Sequence, residues 1–385
     1  ARLRAVPFRT GCFVFVGADH GAAAPALRSD SKRMEKILAM PSLRSRGKIS
    51  SLRRIPKVEL HLHLDGSVRP DLARRLASEQ SHPMARKSRE EIEKIAVVSS
   101  QKNSLQEVLD VFFTIYPLLK SSRAIELVAY EISREARFNS VLYFETRFAP
   151  SLLAAEGFGV DAVLRAALKG LARGRKDFGV QSGLIVTMLR DGPMKDNEAM
   201  LDAAIRFKDQ GVVALDLANY ETARGLADFA DFFKEAKRQG LFTTIHAGEV
   251  YPSPDFPLIL ELGIDRIGHG VFLPKYPDIL GEVARRKIPV EVNLTSNLRT
   301  SAIRRIQDHP LPKFLELGVP VALSTDDPGV FGIDLTHEYE TAAREFGFSE
   351  PDLRRLALGG VEAVFLPKEQ KQALRDACKN YAPPS

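Results

Sequence analysis

Lys57-Val58-Glu59-Leu60-His61-Leu62-His63-Leu64-Asp65-Gly66 sets two histidines two residues apart inside an apolar run. Strand side chains alternate between faces, so a strand over 58–64 projects His61 and His63 side by side, with Asp65 next on the same face. Paired imidazoles at a strand end can grip one transition metal; on a solvent-facing edge strand they would do nothing. The choice depends on what the rest of the chain brings to the same place.

Seven further β-rich runs follow: Val141–Phe148, Gly183–Leu189, Val212–Leu217, Phe242–Ile245, Arg266–Gly268, Pro289–Leu294 and Pro320–Ser324. Helix-like segments separate most of them, among them Val160–Phe178, Asn197–Gln210, Ala223–Gln239 and Asp278–Arg286. Eight strands alternating with helices predict an α/β fold, a (β/α)8 TIM barrel. A doubly wound open sheet would carry a glycine-rich phosphate fingerprint after its first strand, and none is there. The stretch 65–140 is far longer than one crossover needs, and Leu105–Leu119 and Ala124–Phe138 read as amphipathic helices within it. A helical insertion after strand 1 sits over the C-terminal mouth, so it predicts a partial lid lined by residues such as Phe112, Phe113 and Tyr116.

Composition excludes several classes. A chain of 385 residues with 44% hydrophobic and 27% charged content is globular, and no apolar run approaches a membrane span. Cys12 and Cys378 lie near opposite ends, which argues against a disulfide framework or a thiolate zinc site and predicts a reducing, cytoplasmic location. The net charge of +6 is misleading: residues 1–54 carry 12 Lys/Arg against 3 Asp/Glu, which leaves −3 for the remainder. Residues 1–50 read as a basic N-terminal extension, disordered or non-native, compatible with a targeting peptide or with translation beginning at Met34 or Met40. A single catalytic domain is expected over 51–385, with neither nucleic acid nor membrane as partner of the folded body; the sequence leaves the oligomeric state open.

Polar residues then fall at the strand ends. His246 lies in Thr244-Ile245-His246-Ala247-Gly248-Glu249, His269 in Arg266-Ile267-Gly268-His269-Gly270, and strand 8 ends in Ser324-Thr325-Asp326-Asp327-Pro328. A barrel gathers all strand C-termini at one rim, so imidazoles and a carboxylate converge into a nitrogen–oxygen set suited to zinc, with a position left for water. Bound zinc lowers the pKa of water from near 16 to about 7. Glu249 can present a carboxyl group to a substrate, and His269 can act as a base or orient the attacking oxygen. Asp326 and Asp327 are adjacent and point apart, one toward a metal and the other toward a substrate. A supporting carboxylate, a packed core histidine and a helix cap are the structural alternatives for Glu249, His269 and Asp327. No G-x-S-x-G elbow supports acyl chemistry.

These motifs, with Val213-Ala214-Leu215-Asp216-Leu217-Ala218 and Asn293-Leu294-Thr295-Ser296-Asn297, resemble the adenosine deaminase family of the amidohydrolase superfamily over about residues 50–380. The cytidine-deaminase type of zinc site, H-x-E with P-C-x-x-C, is absent. The resemblance implies one zinc ion per chain held by His61, His63, His246 and Asp326. It implies Glu249 as proton donor to purine N1, His269 as the group that helps deprotonate and orient water, Asp327 as a partner of N7 and Asp65 as a sugar contact. The implied reaction is hydrolytic deamination of adenosine or 2′-deoxyadenosine to the inosine product and ammonia, in purine salvage.

One motif departs. The family's strand-four D-L-A-G reads Asp216-Leu217-Ala218-Asn219-Tyr220-Glu221 here. Asn tolerates positive φ, so Asn219 can keep the backbone that meets the purine, yet its side chain and Tyr220 are expected to crowd the floor of the site. Adenine, N6-methyl-AMP or aminodeoxyfutalosine are then alternative substrates, and Arg147, Arg190 or Arg299 could meet a phosphate. Two further readings are a superfamily hydrolase acting on another bond, whose bridging carboxylated lysine finds no residue on strand four, and a non-catalytic purine-binding relative, which would have lost a ligand or the proton donor.

Overall fold

The structure is a computed structural model and describes residues 51–381, so the basic extension lies outside the described residues. Eight parallel strands run in chain order: β1 Lys57–His63, β2 Val141–Phe148, β3 Gln181–Leu189, β4 Val212–Ala218, β5 Phe242–Ala247, β6 Arg266–His269, β7 Val290–Val292 and β8 Val321–Leu323. Each pairs with the next, and Leu62 bridges Asp326 just past β8. The His63 amide donates to the Asp326 carbonyl (2.8 Å), and the Asp326 amide donates to the His61 carbonyl (3.0 Å). The ring closes at the two motifs that carry His61, His63 and Asp326, and the fold is the expected (β/α)8 barrel. No helix among the described residues is long and apolar enough to cross a membrane.

Near-continuous apolar strands such as Val212–Ala218 are what a sheet buried on both faces requires. Inside the barrel, however, a layer of charge replaces hydrocarbon. Arg147 pairs with Glu291 (2.9 Å) and Asp216 (3.4 Å), and Arg266 pairs with Glu145 (2.6 Å) and Glu291, all with fully buried side chains. Such a network adds little net stability, but every member depends on the others, since one orphaned charge would be costly. Below it Phe365 stacks on Phe242, with the Arg266 guanidinium 3.7 Å above the Phe365 ring.

The insertion departs from expectation in two ways. Leu105–Leu119 is not one helix: it divides into Leu105–Leu109, Phe112–Ile115 and a 3-10 turn over Tyr116–Leu119. Pro117 accounts for the last change, because it has no amide hydrogen to donate to the carbonyl four residues back. Phe112 and Tyr116, four apart, face the barrel mouth together, whereas Phe113 points away and is 69% exposed. The second expected helix is present as Ser122–Phe138. β7 and β8 are shorter than read, because Leu294 already opens a helix, Leu294–Arg299, and Pro320 precedes β8.

Candidate active site

The strand ends deliver the expected residues to one point. One ligand atom each from His61, His63, His246 and Asp326 lie within 4.8 Å of one another. Asp326 Oδ1 is 3.2 Å from Nε2 of both His61 and His63, and the Nε2 atoms of His63 and His246 are 3.3 Å apart. Each outer nitrogen of two of these rings is held by a carboxylate that the sequence reading left without a role. His61 Nδ1 meets Glu291 at 2.6 Å, and His246 Nδ1 meets Asp216 at 3.3 Å. Both rings therefore turn Nε2 inward, the orientation that metal-binding histidines receive from such partners. A lone glutamate inside the apolar run of β7 was the available signal for Glu291.

The cluster fits a metal ion on its own chemistry. His61 Nε2 is sealed from solvent with no hydrogen-bond partner, although Asp326 Oδ1 lies nearby. Burial pushes His63 down to about 3, which leaves it as the neutral imidazole that coordination needs. Burial acts to raise Asp326, but His61, His269 and His63 outweigh it and hold the carboxylate ionised. Three imidazoles and one carboxylate form a borderline-hard set.

Beside the cluster stand two carboxyls in the other protonation state. Burial, reinforced by Asp326, pushes Glu249 up to about 8. Burial, then Asp326, Asp65 and Glu249, holds Asp327 well above the ordinary range, and its Oδ1 has no partner. Glu249 is aimed by a tight turn: Gly248 takes φ 62°, and Glu221 accepts hydrogen bonds from the amides of Gly248 (2.9 Å) and Glu249 (3.0 Å). A Cβ on Gly248 would lie 2.5 Å from the Phe256 ring, and one on Gly66 would lie 1.8 Å from Asp327 Oδ1. Both glycines are therefore demanded by close approach. His269 Nε2 is 3.8 Å from Glu249 and 3.9 Å from Asp326, and burial holds its pKa well below the ordinary value.

Three non-glycine residues of this rim take positive φ: Asn219 (75°), His269 (63°) and Asp326 (65°). Such strain persists only where the surroundings impose it. Asn219 thus keeps the backbone expected of it and lines the cleft, its amide donating to Asp191 (2.8 Å). Tyr220 does not crowd the floor. The turn at Asn219 throws it outward, and its hydroxyl bonds Gln106 on the insertion. Asp65 reaches the cleft from a 3-10 turn beyond β1, not from the strand face, and bonds the Tyr116 hydroxyl; burial raises it to about 6.

His63, Asp65, Asn219, His246, Glu249, His269, Asp326 and Asp327 all line a cavity of about 80 Å³ closed by Leu105, Leu109, Phe112 and Tyr116. Among the described residues no lysine or arginine lines it. Arg147 is committed inside the barrel, and Arg190 is buried against Asp255 (2.8 Å). Arg299 sits at the end of the helix after β7, off the cleft wall.

Comparison with known proteins agrees with this geometry. The adenosine deaminase family model matches residues 56–381. The adenosine deaminase of Shewanella loihica is 36% identical over 326 residues, 83% of this chain and 97% of its own. An Arabidopsis N6-methyl-AMP deaminase superposes with TM-score 0.75 at 28% identity, covering 86% of this chain and 99% of its own. A Burkholderia ambifaria amidohydrolase solved with bound zinc gives TM-score 0.76 at 25% identity, covering 87% and 94%. With its barrel, its rim cluster and these relatives in agreement, the chain belongs to the adenosine deaminase family.

Proposed function

We propose that this chain hydrolyses the 6-amino group of adenosine and 2′-deoxyadenosine, releasing ammonia and the corresponding inosine, with one zinc ion held by His61, His63, His246 and Asp326. The observation that carries the reading is the pair of buried carboxyls kept protonated, Glu249 and Asp327, beside an ionised Asp326. Purine N1 and N7 are hydrogen-bond acceptors, so two carboxylic acids lining one cavity complement the ring where carboxylates would repel it. A zinc ion bound by these four residues would supply Lewis acidity and a water that ionises near neutral pH.

The protein groups do the rest. Glu249 gives its proton to N1 as oxygen adds at C6, which lets the ring accept the electron pair. His269 holds the attacking oxygen on the metal side of the ring. Asp327 donates to N7 and fixes the ring plane, while Asp65 and the Asn219 backbone meet the sugar and base edge. Water contributes one hydrogen to the departing ammonia and one, by way of Glu249, to N1. The absence of a lysine or arginine among the described lining residues favours an uncharged nucleoside over a nucleotide such as N6-methyl-AMP. The three imidazoles and the proton donor together argue against a binding-only relative.

An ultraviolet assay on zinc-loaded protein tests this with adenosine, 2′-deoxyadenosine, adenine, AMP, N6-methyl-AMP and aminodeoxyfutalosine. Turnover is expected for the two nucleosides, with about one zinc per chain by elemental analysis. No turnover of adenosine or 2′-deoxyadenosine would defeat the proposal, and faster turnover of N6-methyl-AMP, read as methylamine release, would defeat its nucleoside preference.

A further inference from the structure

Behind His269, on the side away from the cleft, lies a chain of three buried groups that the reaction scheme does not use. His309 Nδ1 accepts the Leu311 backbone N–H at 3.0 Å. His309 is fully buried, and burial pushes it down to about 3, so it is neutral and carries one ring proton. With Nδ1 occupied as an acceptor, that proton sits on Nε2, which lies 3.3 Å from Asn297 Oδ1. The Asn297 amide is thereby prevented from rotating, and its Nδ2 faces His269 Nδ1 at 3.0 Å. An NH2 group can only donate, so that His269 nitrogen must accept.

We propose that His309, acting through Asn297, sets the tautomer of His269 so that its ring proton sits on Nε2, facing the metal-binding cluster. Resting on the deaminase reading, this makes His269 enter the reaction as a hydrogen-bond donor that orients the attacking oxygen, and not as the base that first ionises it. Asn293 supplies the counterweight. Oriented to satisfy its neighbours, its amide donates to the carbonyls of Ser324 and Val292 and leaves its oxygen 3.3 Å from the same Nδ1. The ring nitrogen thus lies between a donor at 3.0 Å, pinned from behind, and an acceptor at 3.3 Å that only the other tautomer would use. The shorter, pinned contact decides. Asn297 and His309 are positioning residues: neither lines the cleft.

The test is a long-range proton–nitrogen correlation spectrum of zinc-loaded protein labelled with 15N-histidine, with His269 assigned from the His269→Gln spectrum. An unprotonated Nδ1 and a protonated Nε2 are expected for His269 and His309. In Asn297→Asp two acceptors face Nδ1, so the His269 proton should move there. kcat should then fall about 10²-fold, the typical loss for one aligned donor, with KM changed less than about threefold. His309→Gln keeps a donor on Asn297 and should preserve both tautomer and kcat, whereas His309→Leu should give a mixed tautomer. Protonation of His269 at Nδ1 in the unmodified protein overturns the proposal, as does an Asn297→Asp spectrum in which His269 is unchanged, whatever kcat does. The spectrum needs no turnover. Inactive protein with the expected tautomers would therefore count against the proposed reaction alone.

Discussion

The two walls of the cleft are built on different principles. The metal-side wall comes from strand ends locked by the charged layer beneath them, so the imidazoles of His61 and His246 have their outer nitrogens tied down. The opposite wall is the insertion between β1 and β2, made of short helical pieces that meet the barrel through apolar contacts and a few hydroxyl bonds, such as Tyr116 to Asp65 and Tyr220 to Gln106. Chemistry needs placement within fractions of an ångström, and the proposed reaction assigns it to the rigid wall. Access and fit can tolerate looser packing and reside on the other. Substitutions on the first wall should therefore change kcat or metal binding, and those on the second should change KM.

The largest effect is expected at Glu249. Glu249→Gln should lower kcat at least about 10³-fold while leaving bound zinc unchanged, read by steady-state kinetics and metal analysis. An active variant would break the division. Glu249 also sets a pH limit. It must be protonated to donate, so kcat/KM should fall as pH rises through its pKa, which burial raises and which the charge of bound zinc would set below the metal-free value of about 8. Its raised folded value means that the metal-free protein binds an extra proton between about 4.5 and about 8. Stability from this group is then full below that window and lost on rising through it, and urea titrations of Glu249→Gln should show a shallower slope, with Asp65 and Asp327 supplying part of what remains.

Next comes Glu291→Gln, which weakens the support of His61 and leaves Arg147 and Arg266 undercompensated. Zinc affinity should fall about 10–100-fold, and stability by about 3–5 kcal/mol in chemical denaturation. Retained affinity with lost stability would show that the charged layer serves folding alone. On the loose wall, Tyr116→Phe releases Asp65 from its hydroxyl partner. KM for adenosine should shift about fivefold in either direction with kcat intact, the scale of one hydrogen bond. Phe113→Ser, at the exposed face of the insertion, should change neither kinetics nor stability beyond about 0.5 kcal/mol, and a rise in KM would place Phe113 against the substrate after all.

The same division governs how much the sequence disclosed. On the metal-side wall His61, His63, His246, Glu249, His269, Asp326 and Asp327 stood out, because each is a polar residue at the end of an apolar run. The barrel's topology alone brings such positions together. On the insertion, one helix was expected where there are three pieces, and Phe113 was placed with Phe112 and Tyr116 although it faces the other way. An insertion has no repeating partner to discipline its phase, and Pro117 cut the period short. Tyr220 was expected in the site because it follows the motif, but one positive-φ turn at Asn219 redirected it.

By itself the sequence determined the eight-strand alternation, the polar set at the rim and the family, since these depend on residue type and spacing along the chain. Only the tertiary structure decided which carboxyls are protonated, that Glu291 and Asp216 stand behind the imidazoles, that no lysine or arginine among the described residues lines the cleft, and that His309 reaches His269 through Asn297. Those properties arise from burial and from contacts between residues far apart in the chain. A proton's position depends on the dielectric and the partners around a group, and neither is fixed until the strands close into a barrel.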